Sequence, residues 1–208
     1  MTSHLVRPRK TPRQERSRAT VDRILDAAAR IFDAVGYRAT TTNDVAAAAG
    51  VSIGSLYQYF PNKDALLVAL AERHVAEATA MIEAYFAGVV PAGAHPATIV
   101  ADLIDVVVEM HALDALHLLI AHQAPRTPEL QRELDRLRDT VAGAVADLLR
   151  GSDTGDAHPV TDPDLTAQLL VAMVEASVHD VILRRSQGDD RDAAIARTIA
   201  MVRAMLAA

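Results

Sequence analysis

The fold is decided by residues 41–63, which read TTNDVAAAAGVSIGSLYQYFPNK. Thr41 and Ser52 each precede a short run suited to a helix, and a hydroxyl at that position accepts a hydrogen bond from an N–H of the first turn. Asp44 follows Thr41 by three residues and completes an acidic capping box. Gly50 stands between the runs, where the chain needs the left-handed conformation that glycine adopts freely. The stretch therefore predicts two short helices joined by a tight turn, a helix-turn-helix.

Apolar residues recur at spacings of three and four on both sides of this stretch, as on the buried stripe of an amphipathic helix. Capping residues before Pro128 and Pro163 mark two further helix starts. We predict helices over 17–35, 42–49, 53–60, 63–87, 96–111, 114–122, 128–151, 163–187 and 190–206, with loops at 88–95 and 151–161. No β-hairpin signal or internal repeat occurs, so the predicted fold is all-α with about nine helices.

The composition excludes several classes of protein. Of the 208 residues, 50% are hydrophobic and 23% are charged, a balance that provides a sizeable core and excludes a disordered chain. The chain has no cysteine, which excludes disulfide scaffolds, thiolate metal sites and thiol nucleophiles. No apolar run reaches the ~18 residues of a membrane span, and residues 1–23 hold no secretory apolar region. We therefore expect a cytoplasmic protein without a membrane partner.

Charge is divided unevenly along the chain. A net charge of −6 by itself argues against nucleic acid as a partner. Residues 1–64, however, hold ten basic and six acidic residues, a net charge of +4, which leaves −10 for residues 65–208. This division indicates two domains of opposite charge, of which the basic one carries the helix-turn-helix and is suited to DNA.

The residues around the turn, taken as a set, resemble the TetR family of bacterial transcriptional regulators. The resemblance covers about residues 20–66 and is carried by Thr41-Thr42-Asn43-Asp44-Val45-Ala46, Ala49-Gly50-Val51-Ser52, Gly54, Leu56-Tyr57, Tyr59-Phe60 and Lys63. It implies an N-terminal helix-turn-helix DNA-binding domain and a C-terminal helical ligand-binding and dimerisation domain. On this basis we expect a basic flexible arm over 1–16, the DNA-binding domain over 17–62, and the effector-binding and dimerisation domain over 63–208.

The resemblance also implies which residues contact an operator. The second helix of the motif would enter the major groove of double-stranded DNA, where base edges are read. Gln58 can bond an adenine edge, Ile53 can touch a thymine methyl, and Lys63 matches a residue that holds a phosphate. The expected DNA-binding residues are Thr42, Asn43, Ser52, Ile53, Ser55, Tyr57, Gln58, Tyr59 and Lys63.

The C-terminal half is expected, from the same resemblance, to enclose a small effector and to form a homodimer through its last two long helices. Leu169 and Ile195 lie on apolar stripes of these helices, which suit either a dimer interface or packing within one subunit. The candidate effector-binding residues are Met81, Tyr85, Met110, His117, Met173 and Ser177. No aromatic residue follows Phe86, so the walls of a pocket there would stack poorly on flat ligands. We therefore expect a repressor that an aliphatic or weakly polar effector releases from a palindromic operator.

Other functions have weaker support. Residues 50–54 read Gly-Val-Ser-Ile-Gly and match the letters of a nucleophile elbow, but that site needs a strand before the serine. Glu175 and His179 have the spacing of two metal ligands on one helix face. We expect no catalytic residues, no metal site and no cofactor. Two alternatives stay open: a constitutive DNA-binding adaptor with a protein-binding C-terminal domain and, last, a helical small-molecule enzyme.

Overall fold

The structure, a computed structural model, describes residues 15–88, 96–112, 115–151, 160–182 and 189–206. Within these ranges the chain forms nine α-helices and one π-helical turn, and it forms no strand. The elements are α1 (Glu15–Val35), α2 (Thr42–Ala48), α3 (Ile53–Tyr59), α4 (Lys63–Gly88), α5 (Pro96–Ala112), α6 (Ala115–Gln123), α7 (Pro128–Gly151), α8 (Pro163–Ala176), the π turn (Ser177–Ile182) and α9 (Asp189–Leu206). The all-α prediction is confirmed.

The helix boundaries agree with the predicted ones to within two residues everywhere except at the end of α8. There the predicted single helix to residue 187 is instead an α-helix to Ala176 followed by the π turn, and residues 183–188 lie outside the described ones. The predicted arm over 1–16 lies outside them too, apart from its last two residues, which begin α1. The loops predicted at 88–95 and 151–161 also fall mostly outside the described ranges.

The predicted caps of the helix-turn-helix are formed. The Thr41 hydroxyl accepts from the N–H of Asp44 at 3.2 Å, and the Asp44 carboxylate accepts from the N–H of Thr41 at 2.8 Å, as in a capping box. The Thr41 hydroxyl also donates to this carboxylate. The carboxylate thus accepts two bonds from Thr41, one from the hydroxyl and one from the N–H, and these bonds lower the pKa of Asp44. Ser52 caps α3 by accepting from the N–H of Ser55 at 3.0 Å. Gly50 has a φ of +63°, the predicted left-handed conformation.

The chain divides into two compact units, of which the first comprises the described residues within Met1–Ala76 and Ala115–Glu133. Residues 65–71 of α4 are all buried, so this segment lies at the centre of the unit. The largest fully buried side chains of the unit, in this segment and around it, are Ile24, Val45, Leu56, Phe60, Leu66, Leu67, Val68, Leu70 and Leu130. Burial of each large apolar side chain contributes about 1.5–3 kcal/mol, so this core fixes the helix-turn-helix to the first half of α4.

The second unit comprises the described residues within Glu77–Asp114 and Leu134–Ala208. Its α5 packs against both α9 and the π turn. Ile104 of α5, Ile182 of the π turn and Val202 of α9 are fully buried and form the centre of this packing. The unit therefore has a core of its own, built from elements that are distant in sequence.

Two arginines of α7 join this helix to α8 within the second unit. Arg138 donates to the two carboxylate oxygens of Glu175 at 2.7 and 2.8 Å, and Arg150 donates to Asp164. All four side chains are partly exposed to water, which screens their charges. The bidentate geometry at Glu175 therefore matters mainly for the register of the two helices.

Gly50→Ala and Gly143→Ala are expected to change stability in opposite directions. Gly50 has a φ of +63°, so an alanine there is strained by about 1–2 kcal/mol although its Cβ meets nothing within 4 Å. Gly143 lies inside α7, also in open space, and alanine should stabilise that helix by about 1 kcal/mol. Urea unfolding followed by circular dichroism measures both changes. A Gly50→Ala variant as stable as Gly143→Ala would contradict the assigned turn.

Candidate nucleic-acid interface

The second helix of the motif, α3, is anchored by some of its side chains and exposes others. Leu56 is fully buried and Phe60, directly after the helix, is 1% exposed, so both fix α3 to the core of the first unit. Tyr57 and Gln58 are exposed. This short amphipathic helix therefore presents polar and aromatic side chains from a firmly packed support, as a helix that enters a DNA groove must do.

Two hydroxyl groups join the helices of the motif. The Thr42 hydroxyl at the start of α2 lies 3.0 Å from the Tyr57 hydroxyl of α3, and either oxygen can be the donor. Thr42 is half-buried, whereas Tyr57 is 41% exposed. Asn43, the next residue of α2, is exposed. The structure thus brings together two of the predicted DNA-binding residues that lie fifteen positions apart in the chain.

The start of α3 carries three more of the predicted residues. Ser52 is exposed, and Ile53 and Ser55 are half-buried. The hydroxyls of Ser52 and Ser55 lie 2.8 Å apart, in addition to the capping bond between these residues. Ser52 therefore both ends the turn and belongs to the polar surface at the beginning of α3.

Tyr59 connects α3 to α1. It is half-buried at the end of α3, and its hydroxyl lies 2.9 Å from the hydroxyl of Ser17 in the first turns of α1. The two residues are 42 positions apart, and no local signal in the sequence relates them. The hydroxyl expected to face DNA is thus engaged in the packing of the motif against the preceding helix.

Lys63 begins α4 as predicted, but its ammonium group is engaged within the protein. The group donates to three backbone carbonyls, those of Tyr37 at 2.9 Å, Arg38 at 3.1 Å and Thr40 at 3.2 Å. An ammonium group carries three hydrogens, so these acceptors account for all of them. The same nitrogen lies 4.7 Å from the centre of the Tyr37 ring, within the range of a cation–π contact. The phosphate contact expected of Lys63 would have to displace one of these bonds.

Residues 36–41, here called the connector, link α1 to α2. Besides the bonds from Lys63, the connector is held in place by the side chain of its own Tyr37. Its hydroxyl donates to the carboxylate of Asp64 on α4, and its ring meets Phe32 edge to face with the centroids 5.1 Å apart. Burial first, and then the bond to Asp64, raises the pKa of Tyr37 well above its usual value. Sequence reasoning missed both Tyr37 and Asp64, because no local pattern relates residues 27 positions apart.

The predicted effector-binding residues fall in both compact units. Four of them are half-buried side chains of the second unit, namely Met81, Tyr85, Met173 and Ser177. The side chain of Met110, in α5, lies outside the described ones. His117 belongs to the first unit, where it is 6% exposed and its Nδ1 lies 2.7 Å from Nε2 of His74. His117 therefore links α6 to α4 within the unit that carries the helix-turn-helix.

The residues behind the alternative functions have other roles in the structure. Ser52 follows α2 rather than a strand, and its hydroxyl caps α3, so no nucleophile elbow is formed. The Glu175 carboxylate accepts two bonds from Arg138, and His179 Nδ1 lies 2.9 Å from the Glu175 carbonyl. In the part of the chain that the structure describes, no three potential metal ligands lie together.

Comparison with known sequences identifies the family. A family described as bacterial regulatory proteins, tetR family, matches residues 24–70, and one described as tetracyclin repressor-like, C-terminal domain, matches residues 96–206. TcmR, an HTH-type transcriptional regulator of Streptomyces glaucescens, is 28% identical over 173 residues, which cover 79% of this chain and 72% of TcmR. YvkB, an uncharacterized HTH-type transcriptional regulator of Bacillus subtilis, is 41% identical over 66 residues, which span 32% of this chain and 35% of that relative.

A solved structure has the same fold. The transcriptional regulator FadR from Bacillus subtilis, in complex with stearoyl-CoA, superposes with a TM-score of 0.62 and 19% identity, over 89% of this chain and 97% of FadR. The C-terminal family match alone covers more than half of the chain, and the relatives are transcriptional regulators rather than enzymes. The chain therefore belongs to the TetR family of bacterial transcriptional regulators, as the residues around the turn predict.

Proposed function

We propose that the chain is a ligand-responsive repressor. Two copies bind a palindromic operator on double-stranded DNA in the cytoplasm, and a small apolar effector releases them. The observation that carries the proposal is the surface of α3, where Tyr57 and Gln58 are exposed while Leu56 is fully buried. The proposal keeps the division into an arm over 1–16, a DNA-binding domain over 17–62, and an effector-binding and dimerisation domain over 63–208.

Exposed and half-buried side chains of the motif supply two kinds of DNA contact. Gln58 has an amide that can bond bidentately to adenine, and Ile53 offers an apolar surface to a thymine methyl. The paired hydroxyls of Thr42 and Tyr57 suit phosphates, which position a protein without reading sequence. The net charge of +4 over residues 1–64 attracts the DNA backbone, and the −10 of the remainder repels it. The other members of the proposed surface are Asn43, Ser52, Ser55 and Tyr59.

Exposed apolar side chains on α8 and α9 favour a homodimer. Leu165 and Leu169, one turn apart on α8, are 51% and 50% exposed, and Met201 of α9 is 53% exposed. The helix Pro163–Ile182 is long and apolar enough by composition to cross a membrane, and only 22% of its most apolar window is buried. Since a single copy in water rarely exposes so apolar a face, we assign a second copy of this chain to it.

The second unit is the proposed site of the effector. Met81, Tyr85 and Met173 are half-buried there, and no aromatic side chain follows Phe86 in the chain. Apart from Tyr85, such walls are aliphatic, and they pack closely on a hydrocarbon chain but offer little stacking to planar rings. FadR, which has the same fold, was solved with stearoyl-CoA, a ligand with a long acyl chain. These observations support an aliphatic or weakly polar effector.

Selection from a random DNA pool should enrich a palindromic sequence that the wild type binds. Gln58→Ala should weaken binding to that sequence by about 1–3 kcal/mol and relax the preference at one base pair in each half-site. Tyr57→Phe should weaken binding to all DNA sequences by the same factor, because phosphate contacts carry no sequence information. Gln123→Ala, the same change at an exposed position of α6, is the control. A pool in which the wild type enriches nothing would refute the proposed function.

Leu169→Arg should convert the dimer into a monomer, because an unpaired charge is too costly to bury in an apolar interface. Light scattering after size-exclusion chromatography measures the mass, which should fall from two chains to one, together with loss of operator binding. Val35→Arg makes a matched change at a residue of α1 that is 59% exposed, and it should leave the dimer intact. A wild type that is monomeric, or that partitions into lipid vesicles, would contradict the proposed interface.

Stearate should raise the thermal unfolding midpoint of the wild type and release a labelled operator, whereas 2-naphthoate, which carries the same carboxylate on a planar ring system, should do neither. A ligand acts in this way when it binds the DNA-free conformation better than the DNA-bound one. Met173→Glu should abolish release by placing a charge among half-buried apolar residues, and Ala84→Glu, at an exposed position of α4, should not. Release by 2-naphthoate at lower concentrations than by stearate would argue against an aliphatic site.

A further inference from the structure

One ammonium group holds the connector at three points. Lys63 Nζ donates to carbonyls 2.9, 3.1 and 3.2 Å away, on Tyr37, Arg38 and Thr40. Thr40 is 2% exposed, and both its N–H and its hydroxyl donate to the carbonyl of Gly36, at 3.2 and 2.8 Å. Hydrogen bonds from a charged donor are stronger than those between neutral groups. Three of them within four consecutive residues leave the connector with little conformational freedom.

Asp64, the next residue of α4, holds the connector by a second kind of bond. Its carboxylate accepts from the Tyr37 hydroxyl, and the ring of the same tyrosine lies 4.7 Å from Lys63 Nζ. The first two residues of α4 thus contact the connector through a cation and an anion. Because residues 65–71 immediately after them are all buried, these two side chains extend from the most firmly packed segment of the first unit.

The connector leads directly into the DNA-facing surface. It ends at Thr41, which caps α2, and the next residue is Thr42, whose hydroxyl lies 3.0 Å from that of Tyr57. A displacement of the connector therefore moves the beginning of α2 and alters where this hydroxyl pair lies. Lys63 is connected to the proposed DNA surface through the backbone, without having to touch DNA.

We propose that Lys63 is a positioning residue, which holds the connector, and through it the Thr42–Tyr57 pair, in the geometry that binds DNA. This role rests on the proposed function, since it concerns the same DNA surface. It differs from the phosphate contact that the family resemblance implies, because all three hydrogens of the ammonium group are donated within the protein.

Two substitutions at Lys63 separate these roles. Lys63→Met removes the charge and the donors, whereas Lys63→Arg keeps the charge but has a planar fork that cannot direct donors at the same three carbonyls. If Lys63 is a positioning residue, both variants should bind the selected operator about tenfold more weakly than the wild type does. A phosphate contact would instead give weak binding for Lys63→Met alone, with Lys63→Arg close to the wild type, and this result would overturn the proposal.

The salt dependence of binding is a readout that a loss of stability does not change. For each phosphate contact that is removed, the slope of log affinity against log salt becomes flatter by about 0.9. The slope of Lys63→Met should match that of Arg38→Met, which removes an exposed positive charge from the same connector and breaks none of these bonds. If the slope for Lys63→Met is flatter than the slope for Arg38→Met by about 0.9 per subunit, the proposal is overturned.

Hydrogen exchange in the DNA-free protein tests the connector itself. Amides of residues 36–43 should exchange faster in both Lys63 variants than in the wild type or in Arg38→Met, at a temperature where thermal unfolding shows all four to be folded. Faster exchange with unchanged operator affinity would show a purely structural role and overturn the proposal, as would unchanged exchange. If the wild type enriches no operator, the proposed function fails, whereas this measurement still tests whether Lys63 holds the connector.

Discussion

The DNA-binding half of the molecule depends on the burial of seven consecutive residues, 65–71, at the start of α4. Helices α2 and α3 have seven residues each, too few to be stable alone in water. They keep their positions because Leu56 and Phe60 enter the same core and because Lys63 holds the connector that leads into α2. A short helix can read DNA only if something larger fixes it, and in this protein that support is α4.

Interactions that act over three or four residues could be predicted from the sequence. The caps at Thr41 and Ser52 and the left-handed Gly50 are of this kind, and so are the proline starts of α7 and α8. The π turn at Ser177–Ile182 could not, because no residue type in the segment requires its wider hydrogen-bond ladder. The positions of the helices could therefore be predicted from local interactions, but this departure from α-helical geometry could not.

The membership of the candidate site could be predicted, but most of its bonds could not. The resemblance placed Lys63 at the start of α4, where it is found, but its partners lie on a connector more than twenty residues earlier in the chain. The same holds for Tyr59, whose hydroxyl partner is Ser17. In the C-terminal half, an apolar stripe on α8 suits a core as well as an interface, and the exposure of side chains such as Leu165 and Leu169, about half in each case, favours the interface. Tertiary structure decides such questions, because the deciding partners are distant in sequence.

Either oxygen of the Thr42–Tyr57 pair can be the donor, so the hydrogen between them has two arrangements in the free protein. A phosphate oxygen, by contrast, can only accept. A hydroxyl that meets a phosphate must direct its own hydrogen outward and accept the hydrogen of its neighbour, which polarises the pair in one direction and strengthens both bonds. One strand of DNA would then contact α2 and α3 through a single chain of hydrogen bonds. Binding to the sugar-phosphate backbone, and not only to the bases, would then depend on the relative position of the two helices.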